Sequence, residues 1–328
     1  MHINFIIIEG KYDHYPEDPD LNWNFFHTTN TIWSYLTYVR LKQQGYPDIG
    51  YSTRIVAGAI NVGTPAALAA AFNQNHSNER ANPRDTVYVA IRADKLSCSA
   101  AQIQIVQSPD QAIRLNNAYY VTHWPQPGLM PRKADGHRVK KIGMAGLPKH
   151  YAVSRYGDSF QEEMQKRGVE IVKMDKTCWN NYSEIDVVLA VRAFNSKILT
   201  HKPPSKMINA WSAGVPVICN PEASYRWFGN PGKDYLEIET YEQLLEAIDT
   251  LREDGNTYLS LVESGRSRAE EFTNETVAGE WMQLFDGIRK KSIHIPPAGS
   301  LRKMKFGFRK DEVMNSFKKK VRDYLVPN

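Results

Sequence analysis

The sequence predicts an α/β protein of two tandem Rossmann-like domains, on three observations. Continuous apolar runs of strand length alternate with helix-like stretches, as expected of strands buried on both faces of a parallel sheet. That alternation breaks in the 125–140 segment, rich in Pro, Gly and charge, and restarts at Lys140. The chain has 328 residues, enough for about two domains of roughly 150 residues each. With 42% hydrophobic and 23% charged residues, the composition excludes a disordered chain, a collagen and a small disulfide scaffold. No stretch approaches the roughly 20 apolar residues of a membrane span.

The first domain is expected over residues 1–130. Phe5 to Ile8 is a continuous apolar run and reads as a buried strand; a long polar and aromatic loop, Gly10 to Asn30, follows it. Thr31 to Gln44 is helix-like and closes at Gly45, a C-cap signal. Ala66 to Phe72, behind Pro65, is alanine-rich and reads as a helix. Thr86 to Ile91, Ile103 to Val106 and Tyr119 to Thr122 read as further strands.

The second domain is expected over residues 140–290. Lys140 to Gly146 is a short strand opening into a glycine turn. A helix over Phe160 to Arg167, stopped by Gly168, leads to a strand over Val169 to Met174. Asp186 to Val191 is the next buried strand. Ser205 to Ala213 reads as a helix, Val215 to Cys219 as a strand, and Tyr241–Arg252, Thr257–Phe272 and Asn274–Arg289 as helices.

The formal charge of +5 is a sum of unlike parts. Residues 289–328 hold 12 of the 41 Lys and Arg but 3 of the 36 Asp and Glu, leaving residues 1–288 at −4. Segment 296–328 therefore reads as a basic tail, with a helix over 311–325 carrying Val313, Phe317, Val321 and Tyr324 on one side. Such a helix either lies on an anionic membrane surface or packs its apolar stripe on the body. Recognisable nucleic-acid motifs are missing, so no nucleic-acid partner is expected. Three scattered cysteines, Cys98, Cys178 and Cys219, fit reduced thiols in a cytoplasmic protein.

The most informative segment runs from Lys202 to Ile218. Two prolines precede Ser205, the expected N-cap, and Gly214 ends the helix before a Val-rich strand. The free amides and partial positive charge of a helix N-terminus, joined by Lys206, make an anion site suited to a diphosphate. Asn209 lies one turn further, within reach of a sugar hydroxyl. Arg192, Lys197 and Lys202 lie upstream, after the Asp186–Val191 strand, at the carboxyl end where open α/β sheets bind ligands. A capped amphipathic helix with solvated lysines is the bland alternative.

The pattern Lys-Pro-x-Ser-Lys-x-x-x-Ala-x-x-x-Gly-x-Pro-Val-Ile, here Lys202 to Ile218, resembles the donor-binding segment of GT-B-fold glycosyltransferases. Asp186 to Arg192 and Gly143 to Gly146 resemble the strand before it and the glycine turn that opens the donor domain. The resemblance is clear over roughly residues 140–230. It implies two Rossmann-like domains facing across a cleft, the second binding a nucleotide-diphosphate sugar as co-substrate without cofactor or metal. It further implies transfer to a glycan or lipid-linked acceptor. Gly146, Arg192, Lys197, Lys202, Ser205, Lys206, Asn209 and Glu222 are the implied donor contacts, Glu222 reading equally as a turn carboxylate. Many retaining members carry two glutamates eight positions apart; His201 and Asn209 stand there in this chain.

General base catalysis needs a His, Asp or Glu. Asp94, after the Thr86–Ile91 strand, and His123, after the last strand of the first domain, are the candidates. Asp18, Asp20, Trp23 and His27 mark an acidic, aromatic loop fit for an acceptor or for covering its own core. Asp18-Pro19-Asp20 matches an Asp-x-Asp metal motif formally, but its place in a loop with an intervening proline reads as a turn. No His/Cys cluster suggests a metal.

Overall fold

The computed structural model describes residues 1–8, 14–75, 86–93, 98–115, 117–133, 136–146, 151–196, 198–200 and 202–296, with Gly307, Lys310 and Met314 beyond them. They form two compact units, Met1–Thr122 with Asn274–Asn328, and His123–Thr273.

The first unit contains β1 (Ile3–Ile6), α1 (Leu36–Gln43), β2 (Ile49–Ser52), β3 (Ile60–Gly63), α2 (Pro65–Asn75), β4 (Val87–Ile91), β5 (Ile103–Val106), α3 (Pro109–Arg114) and β6 (Ala118–Tyr120). All six strands are parallel, in the order β2-β1-β3-β4-β5-β6. The expected strands are present, and β2 and β3 are additional. Their sequences conceal them: β2 is Ile-Gly-Tyr-Ser, and β3 carries a buried asparagine. That polar group is satisfied by a partner on the neighbouring strand, since Asn4 Nδ2 donates to Asn61 Oδ1 at 2.9 Å.

The second unit contains β7 (Lys141–Ala145), α4 (Gly157–Lys166), β8 (Glu170–Met174), β9 (Val187–Ala190), α5 (Ser205–Ser212), β10 (Val217–Cys219), α6 (Ala223–Phe228), β11 (Leu236–Glu237), α7 (Tyr241–Glu253) and α8 (Gly255–Ala269). Its five parallel strands run β11-β10-β9-β7-β8. Residues on and beside β9 alternate between two cores. Val187, Leu189 and Val191 join Phe160 and Met164 of α4 and Leu244, Ile248 and Leu251 of α7. Val188 and Ala190 join Met207, Ile208 and Trp211 of α5. α8 lies so close to α5 that a Cβ at Gly265 would come within 2.5 Å of the Trp211 ring.

A further helix, α9 (Asn274–Arg289), groups with the first unit, whereas the expectation of 140–290 put it in the second. Its partners explain why. Phe285 meets Phe5 edge-on at 6.0 Å, Tyr46 donates to Asp286 at 2.7 Å, and Arg289 donates to the Met1 carbonyl at 2.9 Å. Glu280 accepts from the Thr122 amide at 2.6 Å and its hydroxyl at 2.9 Å. Most of the tail, including nearly all of 311–325, lies outside the described residues. Gly307, Lys310 and Met314 are helical, and Gly307 is buried against Ala100. Among the described residues no helix is long and apolar enough to cross a membrane.

Candidate functional site

The carboxyl ends of β7, β9 and β10 carry the residues singled out in the second half of the chain. β7 runs into Gly146, whose φ of +119° suits glycine alone. β9 runs through Val191 into Arg192. β10 runs into Asn220-Pro221-Glu222, where Asn220 Oδ1 accepts from the Arg192 amide at 2.7 Å. The Ala223 amide donates to the Leu199 carbonyl at 2.9 Å, tying the loop after β9 to the start of α6.

Arg192, Glu222 and Lys206 form the electrostatic centre. Arg192 Nε donates to Glu222 Oε1 at 2.7 Å, and the glutamate is fully buried. Burial pushes its carboxyl up and the Arg192 guanidinium pulls it back. Glu222 Oε2 and the hydroxyls of Ser224 and Tyr225 have no hydrogen-bond partner among the described residues. Glu222 is therefore the counter-ion that seats Arg192, a tighter role than a turn carboxylate.

Lys206, in the first turn of α5, sits 4.7 Å from the centroid of the Tyr151 ring and donates to its hydroxyl at 3.4 Å. A Cβ added to Gly146 would lie 3.7 Å from its Nζ, so the ammonium stands directly beside the glycine turn. Burial, then Arg192, pushes the lysine down to about 7, with Glu222 opposing. Gly146, Arg192, Lys206 and Glu222 are thus brought together, and half-buried Lys202 contributes to the same field.

Ser205 is not the cap. The Pro204 carbonyl accepts from the Met207 and Ile208 amides at 3.0 and 3.1 Å, so Ser205 is the first residue of the helix proper. Its amide still precedes the first intrahelical bond, as an anion site requires. The Asn209 side chain stands beside the Tyr182 hydroxyl and opposes the upward push that burial gives it. Tyr151 and Tyr182 were not legible as site residues, because a tyrosine beside a loop carries no spacing signal. Lys197, His201 and Asp94 lie outside the described residues.

In the first unit, both oxygens of Asp20 accept from Arg40 at 2.8 Å, and Asp18 Oδ1 accepts from the Asp20 and Leu21 amides at 2.9 and 3.0 Å. The expected turn is there, and Asp20 serves as a structural counter-ion. Trp23 is half-buried, and His27 Nδ1 lies 2.7 Å from the Asn24 carbonyl. His123, the first residue of the second unit, is held by the Trp124 carbonyl at 2.5 Å; burial pushes its pKa down. Among the described residues no group of three or more His, Cys, Asp or Glu could hold a metal ion.

No curated protein matches this sequence. Residues 133–283 match the family described as Glycosyl transferase-like. Among solved structures, the chain resembles an S. aureus TarM variant in complex with fondaparinux, alpha-GlcNAc-glycerol and UDP, with a TM-score of 0.50 and 11% identity over 76% of this chain. It spans 59% of the TarM chain. Anabaena HepE in complex with UDP also has a TM-score of 0.50 and 11% identity, over 88% of this chain and 100% of HepE. Residues 133–283 are thus similar to the Glycosyl transferase-like family, and the pair of parallel-sheet units shares the two-domain GT-B fold of these solved structures.

Proposed function

We propose that the chain transfers a sugar from a nucleoside-diphosphate donor to a glycan or lipid-linked acceptor, without a metal. The observation that carries this reading is the convergence of Lys206, Arg192 and the first turn of α5 on the glycine turn after β7. Transfer develops charge on the leaving diphosphate. Cations and helix amides already aimed at that charge stabilise it without reorganisation. Glu222 holds the Arg192 guanidinium still, and Lys202 adds to the positive field. Because TarM and HepE are both known in complex with UDP, UDP is the first nucleotide to test.

The first unit would take the acceptor, whose hydroxyl needs a base. His123 and Asp94 are the candidates. Burial lowers the His123 pKa and so keeps its imidazole in the neutral form a base requires, while weakening its basicity. A lipid-linked acceptor would bring the basic segment 311–325 against an anionic surface.

The test is calorimetric titration with UDP, GDP, ADP and CMP, followed by product analysis with the matching nucleotide-sugar. At least one nucleotide should bind the parent chain, and Arg192→Ala should lose at least tenfold in affinity. If none binds, the donor site is refuted. A second reading, donor binding without transfer, draws on the His201 and Asn209 pair and on the engagement of Asn209 with Tyr182. Neither hydrolysis nor transfer of a bound nucleotide-sugar would decide for it.

A further inference from the structure

A cavity of about 230 Å³ opens in the first unit, lined by Tyr15, Tyr35, Tyr38, Tyr51, Glu17 and Lys42, with Val39 and Gln43 completing it. Its walls come from three separate stretches: the loop after β1, the turn leading into α1 with α1 itself, and edge strand β2. The rings form one continuous cluster. Tyr15 and Tyr35 stand 4.9 Å apart, Tyr35 and Tyr51 5.3 Å, and Tyr38 and Tyr51 4.9 Å, each pair at a steep angle. Tyr51 is 41% exposed, so the cluster reaches solvent.

The polar groups gather on the same cavity. Lys42 Nζ meets Glu17 Oε1 at 3.3 Å, and Gln43 Nε2 donates to the Glu17 carbonyl at 3.3 Å. Burial, then the neighbouring Tyr51, Tyr38, Glu17 and Tyr15 oxygens, drives the Tyr35 hydroxyl well above its ordinary value. The Tyr35 phenol therefore stays a protonated donor. An acid and an amine of opposite charge leave the mouth near neutral, which disfavours a phosphate or a nucleotide. The volume is also below the ~300–1,000 Å³ of pockets for drug-sized ligands, a fit for one ring-sized group.

A ligand matched to steep aromatic walls with converging hydroxyls presents C–H faces and a rim of hydroxyls. Tyrosine supplies apolar area and a hydrogen-bonding tip together at low entropic cost. We infer that this pocket binds one pyranose ring of a neutral glycan. Its identification with the acceptor rests on the transfer reading above, whereas the binding itself does not.

The test is saturation-transfer NMR on the full chain with methyl β-glucopyranoside, methyl β-galactopyranoside and methyl N-acetyl-β-glucosaminide, with UDP and cyclohexanol in parallel samples. At least one glycoside should receive saturation on its ring protons. Tyr51→Ala should weaken it about tenfold and Tyr51→Phe two- to threefold, with a cooperative melting transition retained and the UDP signal unchanged. Glycoside binding indifferent to Tyr51→Ala overturns the inference, as does cyclohexanol saturating as strongly as the sugars. If UDP binds and no glycoside does, the pocket fails and the donor site stands. If a glycoside binds in a Tyr51-dependent way and UDP does not, the pocket stands and the donor site fails.

Discussion

β9 has a buried ion pair beyond each of its ends, and the two are built to opposite rules. At the amino end, Asp186 is fully buried and fully satisfied. Its Oδ1 accepts from Arg132 at 3.1 Å and Arg138 at 3.2 Å, and its Oδ2 accepts from the Lys140 and Lys141 amides at 2.8 and 2.9 Å. At the carboxyl end, Glu222 has one oxygen on Arg192 and the other without a partner among the described residues. A lysine driven down towards neutrality stands in the same field. A buried polar network with every group paired fixes a structure; one with open lone pairs and surplus cations is arranged for something that arrives later. The contrast separates scaffold from site within one strand, using two acidic residues of equal burial.

Removing the satisfied acid should have the larger effect. Asp186→Ala strands two guanidiniums and two amides, and should destabilise the chain by about 3–5 kcal/mol in a denaturant titration. A loss below about 1 kcal/mol would dissolve the distinction drawn between the two ends.

Lys206→Met should move two quantities in opposite directions. The lysine's folded pKa of about 7 lies below its ordinary 10.5. Between those values the unfolded chain holds the extra proton, so this residue makes stability rise with pH across that window, and its charging below about 7 disfavours the fold. Because the side chain is only partly shielded from water, the substitution should stabilise by no more than about 1–2 kcal/mol near pH 7. UDP affinity should fall at least tenfold. Melting curves from pH 6 to 9 would show the gain narrowing as pH rises.

UDP binding itself should carry the same proton. A diphosphate favours the ammonium, so affinity should decline through pH 7 to 9, by at most about tenfold per unit. Calorimetry at pH 8 in buffers of different ionisation enthalpy should report net proton uptake on binding. Zero uptake would mean that Lys206 does not face the ligand. The smallest effect belongs to Tyr182→Phe, which removes the hydroxyl beside Asn209. UDP affinity should change less than threefold, while turnover of the nucleotide-sugar should shift if Asn209 addresses the sugar.

How much of this could be read from the sequence follows the same line. β9 and β10 are uninterrupted apolar runs and β1 is broken only by Asn4, so all three were plain, as was the Lys202–Ile218 segment, where helix and strand sit at readable spacing. Arg192, Lys206 and Glu222 could be named individually. Their union could not, because it depends on β9 and β10 being direct neighbours in the sheet. β3 escaped because its asparagine is paid for by Asn4, 57 residues away. Asp186 looked like the polar start of a strand, and only the return of residues 132–141 to its carboxylate gives it a role.

The assignment of α9 to the first unit bears on how the chain is made. The second unit is one continuous stretch, His123–Thr273, and has all its parts as soon as that stretch has left the ribosome. The first unit has to wait. Phe5 and Thr122 find their partners Phe285 and Glu280 only after the second unit has been synthesised. Domains tend to fold as units during synthesis at about 5–20 residues per second. The middle of this chain therefore has a head start of seconds over the beginning, and the nascent first sheet is the part that a chaperone would meet unfinished.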